Sequence, residues 1–161
     1  MTSAAFRTMS SSKSWEYPTP RDFYERLDAE FHFDFDPCPV DGEVDGRSPL
    51  YQPWDGRRVF CNPPYGNQIP KFLERWHEAE VAVYLIPART DTRWFHEICL
   101  PFANEIRFIK GRLRFGGSSN PAPFPSMVVI FGDDLNVSEA NEPQPGEDAP
   151  EPRIVQNKRQ R

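Results

Sequence analysis

Four consecutive residues, Asn62-Pro63-Pro64-Tyr65, are of types that could do chemistry on an amino group. Two adjacent prolines have no N–H, so this stretch of backbone offers hydrogen-bond acceptors and few donors. Asn62 adds a side-chain carbonyl oxygen, and Tyr65 adds a flat aromatic face. Acceptors beside an aromatic plate suit an amino group carried on a planar ring. From these residues alone, the alternative is a Pro-Pro turn between a strand and a helix.

Such an amino group is a poor nucleophile because its lone pair is delocalised into the ring. The Asn62 amide oxygen and the Pro63 carbonyl could each accept one N–H, which favours a pyramidal nitrogen and frees the lone pair for attack. The ring would stack on Tyr65, and such stacking is worth about 1–3 kcal/mol per base. A methyl sulfonium placed in line could then be attacked directly, with the rest of the rate coming from positioning. We therefore predict Asn62, Pro63, Pro64 and Tyr65 as the catalytic residues.

The position of this motif along the chain predicts its place in a sheet. Residues 58–61 are typical of a short buried strand, and Asn62 follows directly. Open α/β sheets bind ligands at the carboxyl ends of their strands. Residues 69–76 carry apolar side chains at i, i+3, i+4 and i+7, which predicts an amphipathic helix after the motif.

Strands and helices alternate along the rest of the chain. The patterns predict a helix from Thr19-Pro20 with Thr19 as its cap, strands over 31–35, 58–61 and 81–86, helices over 69–76 and about 91–100, a strand over 105–110, and a last strand over 127–131. This alternation gives right-handed crossovers and predicts an α/β fold with a mostly parallel sheet. The final segments are joined by loops without a helix, which predicts an antiparallel end strand.

Composition limits the folded unit to one domain. The chain has 161 residues, 18 of them proline, and a formal net charge of -5. Residues 1–14 lack periodicity and residues 135–161 are rich in Pro, Glu, Gln and Asn, so both are predicted to be disordered around a domain over 15–134. Residues 133–161 carry seven of the 24 acids and four of the 19 bases, which leaves the body nearly balanced. This charge argues against a generic, highly basic nucleic-acid binder but does not exclude an anionic partner.

The cysteines and the hydropathy indicate the compartment. Cys38, Cys61 and Cys99 are predicted to be reduced, buried thiols, as in a cytoplasmic protein. No run of 18 apolar residues occurs, so we expect no membrane span. The cysteines and histidines lack the spacing of a zinc site, so we expect no metal.

Several stretches, in order along the chain, resemble the phage-type (Dam-like) DNA N-6-adenine methyltransferases of phages and prophages. They are Trp15-Glu16-Tyr17-Pro18-Thr19-Pro20, Phe33-Asp34-Phe35-Asp36-Pro37-Cys38, Phe60-Cys61-Asn62-Pro63-Pro64-Tyr65-Gly66, Pro87 to His96, Gly111 to Gly116, and Ala122 to Ser126. The resemblance covers about residues 15–132. It implies an S-adenosylmethionine-dependent enzyme that methylates the N6 amino group of adenine in DNA, on a reduced Rossmann-like class I methyltransferase sheet. If the chain is phage-encoded, its place is the host cytoplasm.

The resemblance also implies roles for particular residues. Asn62–Tyr65 match the catalytic motif of amino-methyltransferases. Asp36-Pro37-Cys38 stands where such enzymes have their cofactor motif after the first strand. Thr19-Pro20 with Phe23 resembles the segment that closes over the methionine end of the cofactor. The predicted cofactor-binding residues are therefore Thr19, Pro20, Phe23, Asp36, Pro37 and Cys38.

The chain departs from the family pattern around the cofactor. No Gly-x-Gly follows the first strand, and Gly42 and Gly46 are too far along for the usual tight cradle. Only 25 residues separate Asp36 from Asn62, too few for two further strand–helix units. We therefore expect a shortened sheet.

Basic side chains near the predicted site suggest where a DNA backbone would bind. Arg107, Lys110, Arg112 and Arg114 lie within eight residues, beside a Gly- and Ser-containing loop over 116–125. The predicted phosphate contacts are Arg89, Arg93, Lys110, Arg112 and Arg114. The alternative for the 107–114 group is a solvated charged face.

Two other functions stay open at this point. The Asn-Pro-Pro-Tyr motif also suits cytosine N4 or the side-chain amide of a protein glutamine. The missing Gly-x-Gly would also fit a DNA-binding relative that has lost catalysis.

Overall fold

A five-stranded mixed sheet forms the centre of a computed structural model that describes residues 17–39, 52–117, 119–132 and 153–155. Its strands are β1 (Arg58–Cys61), β2 (Val81–Pro87), β3 (Glu105–Phe108), β4 (Ser126–Gly132) and β5 (Arg153–Val155). They lie side by side in the order β1-β2-β4-β3-β5. β1 and β2 run parallel, whereas β4 is antiparallel to both of its neighbours and β5 is antiparallel to β3.

The mixed α/β class is as predicted, but the arrangement of the sheet is not. The only parallel contacts among the described strands are the β1–β2 pair and an isolated bridge from Phe35 to Val59. The antiparallel strand β4 is inserted between β2 and β3 and is not at the edge of the sheet. β4 is apolar at nearly every position and buried from Ser126 to Phe131, so it needs cover on both faces and strands on both sides.

The helices are short, in keeping with the high proline content. They are α1 (Arg21–Phe31), α2 (Ile69–Leu73), which continues as a 3-10 turn over Glu74–Glu78, and α3 (Leu100–Phe102), which is preceded by a π-helical turn over Phe95–Cys99. The predicted strand over 31–35 is wrong for its first residues. Phe31 completes the apolar stripe of α1 with Phe23 and Leu27, and the helix ends at His32 in a left-handed conformation.

The side chains of the sheet point into two cores, one on each face. In β2, Tyr84 belongs to the core that contains Phe72 of α2 and the fully buried Trp54. Its neighbour Val83 points to the opposite core, which Leu27 of α1 closes. The Tyr84 hydroxyl donates to the Phe72 carbonyl oxygen over 2.8 Å and so ties α2 to β2. The sheet is therefore a middle layer, covered on both faces.

The predicted terminal segments fall mostly outside the described residues. This holds for all of residues 1–14 and for 135–161 apart from 153–155. Those three residues depart from the prediction of disorder, since Arg153–Val155 pair with Glu105–Arg107 as β5. β3 has β4 on one side only, so its other side can pair with this segment. None of the helices in the described part of the chain has the length and apolar character that a bilayer crossing requires.

Candidate functional site

The motif Asn62–Tyr65 lies at the carboxyl end of β1. Because β1 and β2 are parallel, this end adjoins the end of β2 at Pro87, from which the chain continues into Arg89. The Phe35–Val59 bridge brings Asp36 to the same edge on the other side of β1. Three sequence-distant segments with predicted roles thus meet at the carboxyl ends of the parallel strands, which we call the sheet edge below. This is the place expected for an α/β site.

Asn62 is almost fully buried, at 3% exposure, and the nitrogen and oxygen of its side-chain amide lie in different surroundings. Its Nδ2 donates to the Tyr17 carbonyl oxygen over 2.8 Å and to the Thr19 hydroxyl over 3.1 Å. Its Oδ1 is buried and has no hydrogen-bond partner within the described ranges. A buried acceptor without a partner costs about 1–3 kcal/mol, so a donor that arrives here is strongly favoured. An N–H of an amine is such a donor.

Tyr65, the last residue of the motif, lies in a cluster of aromatic rings. The Tyr17 ring stacks on it with centroids 5.4 Å apart and an interplanar angle of 22°, and Phe124 and Phe115 meet it edge-on. The pKa of the Tyr65 phenol is raised above its ordinary value, mainly by burial, so the side chain is neutral. The predicted aromatic plate is present, but Tyr17 already covers one of its faces. Pro63, beside it, is buried, and Pro64 is half-buried.

A cavity of about 270 Å³ opens beside this cluster. Its lining is mainly aromatic and apolar, with one cation. The lining residues are Tyr17, Tyr65, Gly66, Ile69, Pro87, Arg89, Trp94, Pro123 and Phe124. Aromatic walls with a few polar groups are typical of a small-molecule or base pocket.

Three wall residues were not singled out by their sequence patterns. Tyr17, Trp94 and Phe124 line the cavity, although tryptophan is more often a core residue. Each one lies in a stretch that carries the family resemblance, and that was the signal that could have found them. Their apolar character alone does not separate a pocket wall from a core.

The residues predicted to hold a cofactor divide into two groups. Asp36, Pro37 and Cys38 lie at the sheet edge next to Asn62, and Asp36 Oδ1 accepts the Cys38 backbone N–H over 2.8 Å. Burial raises the pKa of Asp36 to about 6, and the Cys38 N–H offsets this only in part. A partly buried carboxylate beside the site fits a positively charged ligand, because such a charge lowers the cost of its ionisation.

Thr19, Pro20 and Phe23 form the second group. Phe23 is buried in the core under α1 with Leu27, and this packing accounts for it. Thr19 was expected to cap α1. The residue at the cap position is Pro20 instead, and it makes no side-chain capping bond. The Thr19 hydroxyl bonds to Asn62, so residues 17–20, the N-terminal strap, lie directly on the predicted catalytic motif.

The basic residues differ in how they are engaged. Arg89 is exposed and lines the cavity, and Lys110 is exposed. Arg93 is 89% exposed and pairs with Glu97 over 3.2 Å. Arg112 and Arg114 are also exposed and donate to backbone carbonyls in the neighbouring loop, at Ala122 and Ser119.

Arg107 is bound to two acids and is not available as a phosphate contact. Its guanidinium donates to Glu105 over 2.8 Å and to Glu30 over 2.5 Å, and its side chain is only 12% exposed. Of the 107–114 group, this member is structural.

The chain has relatives among known proteins. A family model described as DNA N-6-adenine-methyltransferase (Dam) matches residues 7–141. The DNA N-6-adenine-methyltransferase of Haemophilus phage HP1 (strain HP1c1) is 28% identical over 116 residues, which cover 62% of this chain and 66% of that protein. The match thus spans just under two thirds of the relative's length. No solved structure matches the chain significantly.

Proposed function

The chain belongs to the DNA N-6-adenine-methyltransferase (Dam) family, and from this premise we propose that it transfers a methyl group from S-adenosylmethionine to the N6 amino group of adenine in DNA. One observation carries the assignment to this site. The buried Asn62 Oδ1 has no partner among the described residues, and Tyr65 of the same motif lines a cavity with aromatic walls. The atom suits an N–H donor on a flat ring.

The residues of the chain hold and aim the amine. Asn62 Oδ1 accepts one N6–H and turns the nitrogen lone pair away from the ring. Tyr65 offers its ring to the base, and Trp94 and Phe124 provide the apolar walls that exclude water. Asn62 is neutral, and the phenol of Tyr65 stays protonated because burial raises its pKa. No strong base is required, since a methylated ammonium gives up its proton readily to water.

The sheet edge at Asp36, Pro37 and Cys38 is the proposed place for the methyl donor. When bound, S-adenosylmethionine supplies a methyl group on a positively charged sulfur. The partly buried Asp36 carboxylate, at the same sheet edge as Asn62, is the group in this region that would complement a cationic ligand. The fold proposed for this arrangement is a reduced Rossmann-like methyltransferase sheet.

DNA would have to present the base outside the double helix. A stacked base hides its amino group, and its extrusion costs a few kcal/mol. Arg89 at the rim of the cavity is the nearest proposed phosphate contact, and Arg93, Lys110, Arg112 and Arg114 extend the positive surface. Phosphate contacts of this kind place the duplex without reading its sequence.

Analysis of the methylated product tests this proposal. The protein, made in a methylation-deficient host, is incubated with unmethylated DNA and S-adenosylmethionine, and the DNA is digested to nucleosides for mass spectrometry. We expect N6-methyladenine, and none with Asn62→Ala. N4-methylcytosine as the only product, or methylation of a protein glutamine in place of DNA, would overturn it. A protein that binds DNA but leaves every base unmethylated would also overturn it.

A further inference from the structure

We propose that Thr19 is a positioning residue for methyl transfer, which orients the Asn62 amide so that its oxygen faces the amine. This inference rests on the proposed function, because it takes the Asn62 amide to be the group that holds the substrate. It assigns Thr19 a role on the catalytic motif itself, in place of capping α1.

The first step is the orientation of the amide. A backbone carbonyl can only accept, so the Asn62 atom 2.8 Å from the Tyr17 carbonyl oxygen must be the nitrogen. The oxygen then points to the opposite side, where it is buried without a partner in the described part of the chain. The strap therefore determines which face of the amide meets the substrate.

The second step is the role of the hydroxyl. One hydrogen bond fixes a point but lets the amide pivot about it. The second bond, from Nδ2 to the Thr19 hydroxyl over 3.1 Å, uses the other N–H and fixes the amide plane. Without it, the direction of Oδ1 is no longer defined, and misplacement of a positioning group costs rate.

The third step is that the Thr19 hydroxyl does not cap helix α1. Threonine before a helix is a preferred cap, and a cap is worth about 1 kcal/mol. The first turn of α1 nevertheless has no side-chain capping bond. The hydroxyl is instead directed at a residue 43 positions away, across the sheet edge.

The fourth step is that the strap itself is held from the other side. Gly116 N–H donates to the Pro18 carbonyl oxygen over 2.9 Å, and the Tyr17 ring packs against Tyr65 and Phe124. Thr19 is therefore presented by a fixed backbone, as a positioning group requires.

Thr19→Val tests the inference, because it keeps the branched shape and removes the hydroxyl. We expect kcat to fall about tenfold, as for the removal of one net hydrogen bond, while KM for DNA and the affinity for S-adenosylmethionine by calorimetry stay within about twofold. Thr19→Ser restores the acceptor and should return kcat to near the parent value. Asp28→Ala is the control for stability, since it removes the bond from Phe33 N–H to Asp28 Oδ1 at the far end of α1. It should lower Tm without changing kcat.

A kcat within about twofold of the parent for Thr19→Val overturns the inference, and so does a rise in KM or a loss of cofactor affinity at constant kcat, which would make Thr19 a binding residue.

A second readout needs no activity. In protein labelled with ¹⁵N-asparagine, the Asn62 side-chain NH₂ signals, assigned by their loss in Asn62→Ala, should show two protected protons, one of which becomes unprotected in Thr19→Val. If the parent methylates no base, the proposed function fails, and these signals alone decide whether Thr19 holds the amide. Unchanged protection in Thr19→Val overturns it.

Discussion

At the scale of single residues, Asn62 combines two opposite properties in one amide. Its nitrogen is fully used by the N-terminal strap, and its oxygen is buried with no donor in the described ranges. An unmet acceptor of this kind lowers the stability of the ligand-free fold, and a substrate N–H removes that cost. The geometry therefore favours binding of an amine over binding of a ring without one.

Asn62→Ala should abolish methyl transfer while the fold persists. The substitution removes the two Nδ2 hydrogen bonds to the N-terminal strap, which lowers stability, and it removes the buried Oδ1 without a partner, which raises stability, so the two effects oppose each other. We expect Tm within a few degrees of the parent and S-adenosylmethionine affinity nearly intact, measured by calorimetry. Methylation at near the parent rate would contradict this reading of the site.

Asp36 should make stability depend on pH. The pKa of its carboxyl is about 6 in the folded chain against an ordinary 3.8, so between these values the folded state binds more protons than the unfolded state. The contribution of Asp36 to stability is thus fully present below about pH 4 and is lost as the pH rises through 6, by up to about 3 kcal/mol. Asp36→Asn cannot ionise but can still accept the Cys38 N–H. It should be more stable than the parent at pH 8 and differ little at pH 4.

Chemical denaturation of both proteins across this pH range is the measurement. The parent's free energy of unfolding should decline between pH 4 and pH 7, and the Asp36→Asn curve should be flatter. Parallel curves would show that Asp36 titrates with an ordinary pKa.

At the scale of elements, the N-terminal strap is confined between the end of β1 and the turn at Phe115–Gly117. Gly116 has a φ of +61°, and a Cβ built there would lie 2.7 Å from Pro18 Cγ. The absence of a side chain at Gly116 is thus what lets the strap lie against the sheet edge. Because Asn62 is hydrogen-bonded to the strap, the turn is connected through the strap to the proposed catalytic motif.

Gly116→Ala should displace the strap and lower both Tm and kcat. Gly111→Ala is the matched control, since Gly111 has a φ of +75° but no atom within 4 Å of its Cβ position. Both variants have an unfavourable left-handed alanine, at a cost of roughly 1 kcal/mol, but only Gly116→Ala has the steric clash as well. We expect a small loss of Tm from the backbone in both variants and an additional loss of Tm and activity in Gly116→Ala. Equal activity in both variants would mean that the strap tolerates the displacement.

Local sequence patterns predicted where each helix or strand lies along the chain, but they did not predict which strands pair in the sheet. Apolar spacing was enough for α1, β1 and β2, because these depend on side chains within one element. The interior place of β4 depends on pairing with β2 and β3, which are distant in sequence, so a loop connection did not reveal it. The hydroxyl of Thr19 could be assigned only once Asn62, 43 residues away, was placed beside it.

The candidate site was predictable in its motif and only partly in its walls. Asn62 to Tyr65 carry unusual residue types, so their position after a strand was informative. Trp94 and Phe124 look like core residues in sequence, and only the folded chain brings them to the cavity.

At the scale of the whole molecule, some arginines form ion pairs that stabilise the fold, whereas others are exposed at the surface. Arg107 is bound to Glu30 and Glu105 next to the edge where β3 pairs with β5. Arg112 and Arg114 are exposed and donate to backbone carbonyls. A chain with a net charge of -5 can still offer a local positive surface to DNA in this way.

Replacement of Arg112 and Arg114 by Ala should weaken DNA binding across sequences and reduce the slope of log affinity against log salt by about 1 for each phosphate that is no longer neutralised. Arg107→Ala serves as the contrast. It should leave that slope unchanged and lower Tm, because Glu30 and Glu105 lose their cation. A slope that stays unchanged when Arg112 and Arg114 are replaced would show that these arginines are only a solvated face, and a slope that Arg107→Ala lowers equally would contradict the structural role of Arg107.

The position of Trp94 also gives the molecule an optical property. Of the tryptophans in the described ranges, Trp54 is fully buried and Trp76 stacks on Phe131, whereas Trp94 forms part of the cavity wall. An aromatic ring that enters the cavity would displace water from this indole and alter its fluorescence. The chain therefore has an intrinsic reporter of occupancy, and the entry of an aromatic ligand can be timed without any attached dye.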